Sequence, residues 1–125
     1  MNASDLVENW LREQGFRCER DSDGDLRFRY EGANLFCCKD DDDPRFLRIL
    51  MPGIYSVDGN RMKVLEAISN ISRDYKAVKA FLLGDNLCLS IEMFIDTTPD
   101  IDDFIERCLR ILVEGCRRIA GEILG

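Results

Sequence analysis

Leu6, Val7, Trp10 and Leu11 recur at helical spacing, with charged residues between them. Ser4 is placed to cap this segment, Asp5 suits its first turn, and Gly15 suits the residue just past its end. The spacing predicts a helix over about Ser4–Gln14. The period then changes to two. Phe16 and Cys18 alternate with Arg17 and Glu19, and Leu26, Phe28 and Tyr30 alternate with Asp25, Arg27 and Arg29. Asp21-Ser22-Asp23-Gly24 between them is hairpin-turn chemistry. Asn34–Cys38 and Phe46–Met51 complete a meander of about four strands, with Pro52-Gly53 expected to end the last one.

A second helix follows, capped by Ser56 or Asp58, with Met62, Leu65, Ile68, Ile71, Ser72 and Tyr75 on its apolar stripe. Ala77–Leu83 and Asn86–Asp96 form a hairpin across Gly84-Asp85. Leu87, Leu89, Ile91, Met93 and Ile95 line one face of its second strand, and Cys88, Ser90, Glu92 and Phe94 the other. Thr98 as N-cap and Pro99 at the first position start a last helix, with Asp100, Asp102 and Asp103 at its positive end. Ile101, Phe104, Ile105, Cys108, Leu112, Cys116, Ile119 and Ile123 make its stripe, which Leu109 and Val113 widen. That width exceeds one contact with a sheet and points to a second helix or a second subunit. The order α-β-β-β-β-α-β-β-α implies an α+β fold with a mainly antiparallel sheet. At 125 residues and 46% hydrophobic content, one domain over 1–125 is expected.

Charge and composition narrow the function. Seventeen basic and 24 acidic residues leave a net charge of −7, which disfavours phosphate backbones and anionic membrane surfaces. No apolar run reaches membrane-span length, and the first residues carry no signal-peptide pattern. The six cysteines suit reduced core positions in a cytoplasmic protein. There is no histidine, which removes imidazole catalysis and His-ligated metals. No catalytic, cofactor-binding or metal-ligating set is identified. Asp21–Asp25 departs from a calcium loop, since its sixth and twelfth positions hold Leu26 and Gly32. The run Asp40–Asp43 suits a solvated loop. A carboxylate-based divalent-ion or small-ligand site, with enzymatic activity, is the alternative that these clusters and Glu92 keep open.

Leu83-Gly84-Asp85-Asn86-Leu87-Cys88-Leu89-Ser90-Ile91-Glu92-Met93-Phe94-Ile95, followed by Pro99-Asp100 and Phe104–Cys108, resembles the YbjN-like family. Trp10–Phe16 and Leu65–Asn70 fit the same resemblance. The working description of that family is bacterial sensory transduction regulation. The resemblance implies a fold similar to type III secretion chaperones: a twisted antiparallel sheet flanked by helices, commonly dimeric, contacting client proteins. A non-enzymatic protein-binding or regulatory module is therefore expected, chaperone-like and homodimeric, in a bacterial cytoplasm. The candidate contact residues are Leu109, Val113, Glu92 and Phe94.

Overall fold

The computed structural model describes residues 1–96 and 99–125. α1 spans Ala3–Glu13. Its cap is Asn2, not Ser4. The Asn2 side chain accepts from the Asp5 backbone N–H and the Asp5 side chain accepts from that of Asn2, both at 3.1 Å. This reciprocal pair satisfies two orphan donors, which Ser4 alone cannot do. Ser4 lies inside the helix, buried.

Four strands follow: β1 (Cys18–Arg20), β2 (Leu26–Tyr30), β3 (Ala33–Cys37) and β4 (Phe46–Ser56). Pro52-Gly53 does not end β4. The strand passes through a register shift between Met51 and Tyr55, and Gly53 takes a positive φ of 60° there. A proline tolerated at a bulge and a glycine free of Cβ strain bend the strand without breaking it. α2 (Arg61–Asp74), β5 (Val78–Leu83), β6 (Asn86–Phe94), a 3-10 turn (Ile101–Asp103) and α3 (Ile105–Leu124) complete the chain.

The six strands form one antiparallel sheet in the order β1-β2-β3-β4-β6-β5. A single buried cluster joins Val7 and Leu11 of α1, Leu47 and Ile49 of β4, Leu89 and Ile91 of β6, Ile71 of α2, and Leu112 and Ile119 of α3. The expected α+β architecture is present. Gly115 brings α3 close to the sheet: a Cβ there would lie 3.8 Å from Leu89 Cδ1.

Both later helices differ in detail from expectation. Ser56 belongs to β4, and Asn60 occupies the cap position of α2 without capping it. The Asn60 side chain instead accepts from the Asp58 N–H and donates to the Tyr55 hydroxyl. The buried stripe of α2 is Val64, Ala67 and Ile71. Met62 and Leu65 stand 69% and 43% exposed. Two stripes overlap on this helix, and the smaller side chains of the buried one let it approach β5 and α3 closely. The Thr98 cap lies outside the described residues. Pro99 does not open α3. The chain first makes the 3-10 turn, then bends at Phe104 (φ −132°) before Ile105. Ile101 and Phe104 are half-buried against the core, and seating them requires this bend.

Candidate functional site

The strand alternation that buries one side of the sheet leaves the other side outside the core cluster. Leu26, Phe28 and Tyr30 of β2 point inward, so Arg27 and Arg29 point outward. The same rule turns Phe36 of β3, Arg48 and Leu50 of β4, Lys79 and Phe81 of β5, and Ser90 and Glu92 of β6 to the open side. Register then builds a row across all six strands. Glu19, Arg27, Phe36, Leu50, Ser90 and Lys79 stand opposite one another in sequence. At roughly 4.8 Å between strands, the row is about 24 Å long.

Its centre is apolar, and cations flank that centre on both sides, with Glu19 beyond Arg27 at the β1 edge. Phe36 and Leu50 are half-buried side by side. At the β1–β2 end, a groove of about 1040 Å³ is lined by Arg17, Arg27, Arg29, Asn34, Phe36 and Pro52. Arg27 pairs with Glu19, and Arg29 donates to the Gly32 carbonyl at 3.2 Å. At the β5 end, Arg48 and Lys79 both lie over the Phe81 ring, at 5.9 and 5.7 Å from its centroid. Both approach the Glu92 carboxylate, at 3.6 and 3.8 Å. The Ser90 hydroxyl donates to the same carboxylate at 2.5 Å. Arg48 Nε is buried and makes no hydrogen bond among the described residues. Phe94 packs on Phe46 in a tilted arrangement, ring centroids 5.5 Å apart and planes at 55°, and is 76% exposed.

The four candidate contact residues therefore separate. Glu92 and Phe94 stand on the open face. Leu109 and Val113 are 0% and 8% exposed and belong to the core cluster. The extra width of the α3 stripe faces the protein's own interior. α3 packs on the sheet and on α2 at once, with Arg118 bonded to Asp74 at 2.5 Å and stacked over Tyr75. The arginines of the open face and its aromatics Phe36 and Phe81 escaped the sequence reading, which named Glu92 and Phe94 there, although their alternation was visible. Only the register between strands distant in sequence reveals that they adjoin.

Both acidic clusters are engaged by the backbone. The Asp21, Asp23 and Asp25 carboxylates lie within 4.8 Å of one another. Asp21 accepts from the N–H groups of Asp23 and Asp25, and Asp25 from that of Lys39. Asp40 accepts from the N–H groups of Asp42 and Asp43. These are side chains that close turns. The thiols are all free. Burial pushes Cys108 up to about 11 and raises Cys37 further, which suppresses the reactive thiolate form.

A family model described as "T3SS (YopN, CesT) and YbjN peptide-binding chaperone 1" matches residues 2–123. The chain belongs to this family, TY-Chap1. It is a chaperone-like protein-binding module. Three solved structures share the fold. YbjN from E. coli is 15% identical with a TM-score of 0.68, covering 92% of this chain and 87% of its own. An uncharacterised protein from Methanothermobacter thermautotrophicus is 16% identical at 0.69, covering 97% and 96%. The Yersinia pestis type III secretion chaperone SycH, solved in complex with a stable fragment of YscM2, is 16% identical at 0.65, covering 93% and 98%. No curated protein matches the sequence.

Proposed function

We propose that this TY-Chap1 chain binds an extended segment of a client protein on the open face of its sheet. The observation that carries this reading is the unbroken row from Glu19 to Lys79, with Phe36 and Leu50 at its centre, on the side away from the core. The family description and the likeness to SycH support it. The role is binding without catalysis: the chain has no histidine, and burial raises the thiols of Cys37 and Cys108. Free cysteines fit a reducing cytoplasm. The chain acts as a homodimer, and the exposed Met62 and Leu65, one turn apart on α2, offer an apolar surface to a second copy.

A photo-activatable residue placed at Phe36, and in a second protein at the exposed Arg107 of α3, tests the docking face in extracts of the native host. Client cross-links form from position 36 and not from position 107. Equal yields from both would sink the reading. Light scattering on the same preparations reports the dimer, and Met62→Asp with Leu65→Asp shifts it to monomer.

A further inference from the structure

This inference rests on the docking face just proposed and concerns what that face selects. We propose that it prefers an extended client segment with apolar residues at its centre and acidic residues on both sides. The chain as a whole carries −7, yet the outward row and its neighbours carry the opposite sign. Arg17, Arg27, Arg29, Arg48 and Lys79 face Glu19, Glu92 and Asp25 as carboxylates among the outward strand positions and the residues leading into β1 and β2. A local field opposed to the global charge attracts and orients acidic segments.

The cations are also arranged around the apolar centre. Arg17, Arg27 and Arg29 line the groove on the β1–β2 side, and Arg48 and Lys79 stand on the β4–β5 side. Phe36 and Leu50 lie between them. From β2 to β5 in the sheet is about 19 Å, which an extended chain covers in roughly six residues. One such segment can seat apolar side chains on Phe36 and Leu50 while its flanking carboxylates reach both cation groups.

These cations keep unused bonding capacity. A guanidinium has five N–H donors. Arg29 makes one bond, to a backbone carbonyl, which positions it without neutralising it. Glu92 is one carboxylate between two cations, neither within hydrogen-bonding distance, and Arg48 Nε has no hydrogen bond among the described residues. A client carboxylate would complete these partial arrangements with charge-assisted bonds.

The experiment uses three fluorescein-labelled peptides that share a central Leu-Val-Phe, flanked on both sides by pairs of Glu, Gln or Lys. Fluorescence anisotropy is read in about 0.02 M and about 0.3 M NaCl, where the screening length differs severalfold. The Glu peptide binds about tenfold more tightly than the Gln peptide at low salt, and the gap narrows at high salt. Arg27→Gln with Arg29→Gln lowers the Glu peptide toward the Gln peptide, while circular dichroism and Tm stay as in the parent. Equal binding of all three peptides overturns the charge preference and leaves the docking face standing. Tightest binding by the Lys peptide does the same. No binding by any of the three overturns the docking face as well.

Discussion

On β4, β6 and β5, two rows of side chains lie one residue apart. Ile49, Ile91 and Val78 stand in register on one side, and Leu50, Ser90 and Lys79 on the other. The strands, the backbone bonds and the twist are common to both rows. The first row is buried in the core cluster beneath α3, and each of its methyl groups is surrounded by protein. The second row has no helix over it and keeps itself partly dry by folding Arg48 and Lys79 along Phe81. The difference between the rows is a division of labour. Fold stability is concentrated in one side of a pleated surface, and the proposed docking face lies on the other.

Substitution should separate the two sides sharply. Ile91→Ala opens a cavity in the core and lowers the unfolding free energy by about 3 kcal/mol. Leu50→Ala, one position along the register, costs about 1 kcal/mol or less because it is only half-buried. Urea melts of the two variants measure the contrast, and similar costs would abolish it.

A smaller effect lies where helix meets strand on the covered side. Arg20 of β1 donates to Asp5 and Glu8 of α1 at 3.0 and 2.9 Å, and to the Ser4 hydroxyl and the Gly24 carbonyl at 2.9 and 2.8 Å. Arg20→Met lowers stability at pH 7 by about 1–2 kcal/mol, a value discounted for the partial exposure of the partners. Arg12 first, and Arg20 with it, holds the Glu8 carboxyl below its ordinary 4.5. A carboxylate depressed in the folded state contributes stability that is complete above that value and lost as pH falls through the folded one. The parent protein therefore weakens on the acid side of about pH 4.5, and Arg20→Met weakens less steeply there. Parallel slopes in thermal melts from pH 3 to 7 would refute the linkage.

The smallest effect has the opposite sign. Gly115→Ala places a methyl group in ordinary contact with Leu89 and removes a flexible residue from the interior of α3. It stabilises the protein by about 0.5–1 kcal/mol, read as a rise in Tm. A fall would mean that α3 and the sheet are packed more tightly than this contact indicates.

Much of the architecture was legible because it is local. β2 announces itself by strict alternation and β6 by the length of its apolar run, and the order of elements follows from where the period changes. The misreadings share a physical cause: one local pattern serves two tertiary arrangements. Pro52-Gly53 marks a strand end or a bulge, and only the pairing of β4 with β6 decides between them. Met62 and Leu65 fit a helical stripe as well as Val64 and Ala67 do, and the neighbours of α2 select the second. The width that Leu109 and Val113 add to α3 points to a second helix or a second subunit, and α2 is that helix. The docking face is the extreme case. Arg27, Phe36, Leu50 and Lys79 belong to four segments, and nothing within any one of them states that they share a row.

The pairing of β4 with β6 also leaves one strand edge waiting during biosynthesis. A ribosome delivers β1, β2, β3 and β4 as a meander with only local contacts, and β5 and β6 later as a hairpin. Until β6 emerges, β4 carries one hydrogen-bonding edge without a neighbour and an apolar side without α3. A protein of a family described as peptide-binding thus passes, during its own synthesis, through a stage at which it presents an unpaired strand of its own.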